Sequence, residues 1–226
     1  MRELLTSHFD YDYVCSNPPY VGEKGHKELF RSTREALPYW NRHYQGKMDY
    51  LYWFIILGLV KLREGGKLGF ITTSYWPTAD GATHLREFIL ENALILEIVD
   101  FGETRIFEGA PGQHNMVFVL EKYPSYAPNA SHIDGIVNQA NVDRKQKHRI
   151  KIVKVKAVPP AKHGDKRSPL ARVIDHISGL MAKTKHSDEY VDMYQSAQTQ
   201  DELSGDGWAG LLSPVASKAV ARLDKR

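Results

Sequence analysis

Apolar and polar positions in the first 123 residues follow two rhythms, one of short strands and one of helical turns. Tyr11-Asp12-Tyr13-Val14-Cys15 is short, aromatic and β-branched, which predicts a strand. It must stop at Asn17-Pro18-Pro19, because neither proline can donate a ladder hydrogen bond. Residues 23–46 are polar and aromatic without a clear period and read as a long loop holding a short helix. Asp49 is placed to cap a helix over about Tyr50–Arg63. That segment is apolar on nearly every side through Leu62, so burial is expected, with Gly65-Gly66 ending the helix. Lys67–Thr73 reads as the next strand, and Gly81–Leu90 as a helix with Leu85, Phe88 and Ile89 on one face. Leu94–Asp100 and Met116–Leu120 read as two more strands. This alternation predicts an α/β layered fold with a parallel sheet covered by helices. The connection Gly102–Asn115 is too short for a crossover helix, so the last two strands are expected to be antiparallel neighbours.

The pattern changes after Tyr123, where Pro124 and Pro128 punctuate the chain. A boundary is expected there, dividing the protein into residues 1–123 and a mixed α/β extension over 124–226. Residues 148–158 alternate basic and apolar, as a strand with one exposed face does, and Pro159-Pro160 ends them. Residues 187–207 are polar. Residues 213–225 read as a short terminal helix with Ser213 as N-cap and Pro214 in the first turn.

Composition narrows the class. Apolar residues make up 42% and charged residues 25% of 226, which fits a folded globular chain and excludes disordered or collagen-like sequence. The single cysteine, Cys15, cannot form an internal disulfide and suits a reducing compartment. The longest apolar run, Tyr50–Val60, has eleven residues and is too short to span a bilayer. Asp10 and Asp12 interrupt any signal-peptide pattern, so a cytoplasmic protein without a membrane partner is expected.

The net charge of +3 hides an asymmetry: residues 1–123 carry 13 Lys and Arg against 16 Asp and Glu, and residues 124–226 carry 17 against 11. The basic excess lies in Arg144–Arg167. Its members Arg144, Lys145, Lys147, Arg149, Lys151, Lys154 and Lys156 are the candidate DNA contacts. A solvated strand is the other reading of the same charges.

The chemistry-bearing residues are Asn17-Pro18-Pro19-Tyr20, at the C-terminal end of a strand, where open α/β sheets bind ligands. The Asn17 side-chain oxygen and the Pro18 carbonyl are two acceptors on a stiff turn. Two convergent acceptors suit a planar NH₂ group. Holding both hydrogens out of the ring plane withdraws the nitrogen lone pair from conjugation and makes the amine nucleophilic. Tyr20 offers a flat face on which an extruded base can stack, worth about 1–3 kcal/mol. By itself the tetrapeptide is equally a rigid surface turn.

Val14–Gly22 resembles the catalytic motif of S-adenosylmethionine-dependent amino-methyltransferases. Lys47–Tyr52 before the apolar helix, then Gly65–Thr72, are similar to the adenine-specific DNA methyltransferases of bacterial restriction–modification and phage-defence systems. Glu97–Gly102, Arg105–Ala110 and Asn115–Leu120 continue that likeness, and Gln195–Trp208 resembles the segment leading into the target-recognition domain of such enzymes. The resemblance implies methyl transfer from S-adenosylmethionine to the N6 amine of an adenine flipped out of double-stranded DNA. It implies that Asn17 and Pro18 hold the amine, Pro19 stiffens the turn and Tyr20 stacks on the base. His114 and Asn115 occupy the place where the family often closes the other side of the base pocket.

The family's cofactor site needs a glycine-rich Phe-x-Gly-x-Gly loop and an acidic residue for the ribose, and residues 1–10 supply neither. Gly205, Gly207 and Gly210 form a Gly-x-Gly-x-x-Gly, but the polar Gln195–Ser204 predicts no strand before it, so it reads as a decoy. The expected architecture is therefore a partial methyltransferase (Rossmann-like) sheet lacking its cofactor-binding half. A complementing polypeptide would carry most of the S-adenosylmethionine site, unless that half was lost by truncation. Two other readings stay open: methylation of a glutamine side-chain amide, which poses the same chemical problem, and a non-catalytic remnant that binds DNA or a partner.

Overall fold

The computed structural model describes residues 10–107, 114–124 and 139–211. The expected helix at 213–225 and the motif residues Glu108–Ala110 lie outside them.

Strand β1 (Tyr11–Ser16) enters the turn at Asn17. The long connection that follows holds helix α1 (Lys27–Ala36) and a 3₁₀ turn at Pro38–His43. Helix α2 (Leu51–Lys61) buries seven of its eleven residues, as its apolar sequence predicts. The Asp49 carboxylate accepts from the Leu51 amide at 3.0 Å, so it caps this helix as expected. The helix ends earlier than Gly65-Gly66 predict: Leu62 is already extended, and strand β2 runs over Leu62–Thr73. The two glycines have another role. Gly65 sits at φ +70°, and a Cβ on Gly66 would meet the Tyr11 carbonyl at 2.9 Å, where β1 and β2 make an irregular register.

Helix α3 (Thr83–Asn92) buries Leu85 and Ile89 and leads into β3 (Ala93–Gly102). β4 (Asn115–Lys122) pairs antiparallel with both β3 and β2, which bears out the expected antiparallel pair. Helix α4 (Gln139–Lys147), β5 (Arg149–Val155), helix α5 (Pro169–Ser178), the two-residue β6 (His186–Ser187) and β7 (Val191–Thr199) complete the described chain. One seven-stranded mixed sheet results, in the order β1-β2-β4-β3-β5-β7-β6. The sheet runs on past residue 123, because β5 lies parallel beside β3.

Strand β7 corrects the polar reading of 195–204. It pairs antiparallel with β5, and its buried positions include Ser196 and, just beyond it, Gln200. The Ser196 hydroxyl accepts from the Ile150 amide at 2.9 Å. The Gln200 amide accepts from Ile95 N and donates to the Ala93 carbonyl, both at 2.7 Å. Gln200 stands in for a missing strand beside the first residues of β3, and Ser196 fills the register shift between β5 and β7. Burial is permitted because these polar side chains are themselves hydrogen-bonded to strand backbone.

Two apolar layers sandwich the sheet's centre. On one face Leu51, Ile55 and Leu59 of α2 pack with Leu68, Phe70, Ile98, Phe118 and Ile152. On the other, Val173 and Ile177 of α5 pack with Val99, Phe101, Val153 and Val155. At β1 the second layer is absent among the described residues: Tyr13 is 71% exposed and Cys15 is exposed. Among the described residues no helix is long and apolar enough to cross a membrane.

Candidate active site

Strands β1, β2, β3 and β5 run in one direction, and β4 and β7 run against them. One edge of the sheet therefore gathers the ends of β1, β2, β3 and β5 with the starts of β4 and β7. Asn17–Tyr20 sits on this edge.

The turn is anchored from both sides. Pro18 is buried while Asn17 and Pro19 are exposed. Tyr20 is half-buried and packs on the main core. Its hydroxyl donates to Asn17 Oδ1 at 2.6 Å and lies 3.1 Å from the Ile71 carbonyl of β2. Burial, and then the negative Asp49, push the Tyr20 pKa up to about 12, so the hydroxyl remains a donor at neutral pH. A carboxamide oxygen accepts two hydrogen bonds. Tyr20 takes one and fixes the orientation of Asn17, leaving the second for a ligand N–H. Asp49 secures the next residue by accepting from Val21 N at 3.1 Å, while Tyr50 N donates to the Val21 carbonyl at 2.9 Å. Burial raises the Asp49 carboxyl pKa, and the Leu51, Val21 and Tyr50 amides oppose that shift.

His114 and Asn115 lie on the same edge, since Asn115 pairs with Thr73 at the end of β2. The His114 carbonyl accepts from Ser74 N at 3.0 Å, and its ring stands 6.1 Å from Tyr75. Asn115 is 3% exposed. β2 separates β4 from β1, so about 10 Å of sheet lies between them and the Asn17 turn. Tyr75, 56% exposed, rises from that gap. Its signal in the sequence is an aromatic residue directly after a strand.

The basic candidates divide between opposite edges. Arg144, Lys145 and Lys147 are on α4 and Arg149 opens β5, away from Asn17. Arg144 pairs with Glu121 at 2.7 Å, Lys145 lies over the Tyr123 ring, and the Arg149 guanidinium donates to the Ser196 carbonyl at 3.0 Å. Lys151 is mid-strand, 3.5 Å from Glu97. Lys154 and Lys156 reach the Asn17 edge, where Lys156 makes an exposed 3.0 Å pair with Asp192.

The Gly205–Gly210 turn is not an open nucleotide loop. A strand, β7, does precede Gly205-x-Gly207-x-x-Gly210, contrary to expectation, but the glycine turn is packed structure. The Gly205 carbonyl accepts from Arg86 at 2.8 Å, a Cβ there would meet Glu87 at 2.8 Å, and Trp208 is buried against Trp76.

Residues 5–107 match the model of the Eco57I restriction-modification methylase family. That segment is similar to the restriction-modification methylases. The type II methyltransferase M.HincII of Haemophilus influenzae is 33% identical over 135 residues, covering 60% of this chain and 25% of that protein. The type II restriction enzyme and methyltransferase RM.Eco57I of Escherichia coli is 28% identical over 105 residues, 45% of this chain and 10% of that protein. The chain thus spans about a quarter or less of the curated relatives it matches. Among solved structures, the type IIG restriction endonuclease BpuSI shares the fold, with a TM-score of 0.51 at 16% identity over 86% of this chain and 20% of that one. The matched segment ends within the described core at Phe107, so it includes the Asn17 turn, α2, β2 and β3.

Proposed function

We propose that this chain forms the amine-binding side of a DNA adenine methyltransferase. Asn17 Oδ1 and the Pro18 carbonyl accept the two N6 hydrogens of a flipped adenine, and Tyr20 both aligns Asn17 and contributes ring surface to the base. The carrying observation is the 2.6 Å Tyr20–Asn17 bond, which presents a single oriented acceptor at the strand end. Tyr75, His114 and Asn115 close the far side of the base pocket. S-adenosylmethionine binds on a cofactor-binding half that adds to the edge of β1, open among the described residues, and covers Tyr13 and Cys15. The exposed aromatic edge supports this, since unpaired edge strands are normally covered or blunted.

The test is transfer of radiolabelled methyl groups by the assembled enzyme, offered duplex DNA and a protein acceptor. Label recovered as N6-methyladenine is the expected result. Label in a glutamine amide, or in neither acceptor, overturns the assignment.

DNA reaches this edge over Lys154 and Lys156, which share it with Asn17. Alanine at both is expected to flatten the log–log salt dependence of binding by about 2 units, at roughly 0.9 per lost phosphate contact. Alanine at Arg144 and Lys147 is expected to leave the slope alone. The reverse pattern in a salt titration would move the DNA path to the opposite edge.

A further inference from the structure

The side chains of His176, His186 and Asp188 converge at the far end of the same sheet edge. His176 lies near the end of α5, His186 begins β6, and Asp188 sits in the turn between β6 and β7. Each imidazole Nε2 is 2.8 Å from the same carboxylate oxygen, Asp188 Oδ2. The other oxygen, Oδ1, is held by the Tyr190 and Val191 amides, both at 2.8 Å. The carboxylate is therefore pinned on one side and presented to two imidazoles on the other. All three donor atoms lie within 4.8 Å of one another. The side chains are 21–26% exposed, so a hydrated ion can reach them.

We propose that His176, His186 and Asp188 form a divalent transition-metal site, best suited to zinc, that clasps α5 to the β6–β7 hairpin. Two imidazole nitrogens and one carboxylate oxygen are a borderline-soft set that magnesium and calcium do not favour. In a tetrahedral site with bonds of about 2.0–2.1 Å, neighbouring donor atoms stand about 3.3 Å apart. The present 2.8 Å contacts open by about half an ångström to admit the ion, leaving a fourth position for water. Each neutral imidazole then carries its proton on Nδ1. The Lys183 ammonium, 3.4 Å from His186 Nδ1, swings into solvent as that nitrogen becomes a donor. The two backbone amides on Oδ1 play the orienting part that outer-shell hydrogen bonds play at metal ligands.

The clasp is separate from the acceptor turn. Five strand spacings, about 24 Å, lie between β1 and β7. It does border Lys156, whose amide donates to the Tyr190 carbonyl at 2.8 Å. A bound metal would stiffen the stretch of edge that carries this lysine.

The test uses the untagged chain and zinc chloride alone, by equilibrium dialysis and thermal unfolding. One equivalent of zinc and a raised Tm are expected. His176→Gln and His186→Gln each keep an N–H that can donate to Asp188, so the fold is retained while affinity falls at least tenfold and the Tm rise disappears. A Cys15→Ser control is expected to bind as the parent does. Cobalt(II) bound to the unsubstituted chain is expected to broaden the ring resonances of His176 and His186, a readout that needs no variant to fold. Substoichiometric binding, equal affinity in the glutamine variants, or broadening confined to other histidines would overturn the site.

Discussion

Asn17→Ala is expected to lower methyl transfer to adenine by the assembled enzyme about 10²–10³-fold, the usual loss when one preorganised polar contact to the reacting group is removed. The side chain is exposed, so the substitution should shift unfolding by less than about 0.5 kcal/mol. DNA affinity should hold, because phosphate contacts supply it. The loss falls on the chemical step for a specific reason. With Oδ1 gone, the amine keeps one acceptor in Pro18 and its free hydrogen turns back toward the ring plane, restoring conjugation. Single-turnover rates with DNA in excess check this directly. A variant that keeps most of the parent rate would show that Asn17 is only part of a rigid turn. Tyr20→Phe refines the result. It keeps the ring and deletes the hydroxyl that donates to Asn17 at 2.6 Å. A stacking role alone predicts no loss, whereas alignment of Asn17 predicts a loss smaller than that of Asn17→Ala.

The turn that ends β1 was legible because its signals are local. Two prolines cannot continue a ladder, and the length of the apolar run after Asp49 favours a buried helix over a strand. The strands β2, β3 and β4 carry their own β-branched and aromatic residues and announce themselves in the same way. β7 does not. Its buried Ser196 and the following Gln200 read as loop polarity, yet each replaces a backbone partner, and only the neighbouring strands reveal that need. Helix α5 was also passed over, although its start was visible: the Ser168 hydroxyl accepts from Ala171 N at 3.2 Å, with Pro169 in the first turn. The direction of the basic stretch was hidden for a topological reason. Charge counting cannot tell that α4 and the start of β5 lie on one edge of a sheet and Lys156 on the other. Turns and apolar helices are thus announced locally in the sequence, and the surfaces only by the order of strands.

Arg86→Ala is expected to destabilise the chain by about 2–4 kcal/mol, since one buried and two partly buried carbonyls lose a charged donor, at up to about 1–3 kcal/mol each. Arg86 is 1% exposed, a rare position for a guanidinium. Burial lowers its pKa, with Tyr52, Asp206, Asp80 and Glu87 opposing that shift. Its Nη1 donates to the Trp76 and Ala79 carbonyls at 2.9 and 2.8 Å, and its Nε donates to the Gly205 carbonyl at 2.8 Å. One planar fork therefore ties helix α3 to the loop after β2 and to the glycine turn 119 residues away. Trp208 follows that turn into the core, donating its amide to the Pro77 carbonyl at 2.7 Å and meeting the Trp76 ring at 5.3 Å. Removing the fork should release residues 200–211 together with the Tyr75–Ala79 loop, which borders the Asn17 edge. Arg86→Lys should restore little, because a single ammonium cannot satisfy carbonyls arranged around a planar five-donor group. Urea unfolding followed by near-ultraviolet circular dichroism, which reports the paired indoles, measures both effects. Equal midpoints for the parent and Arg86→Ala would mean that the aromatic contacts alone hold the turn, and that the buried charge serves no structural purpose there.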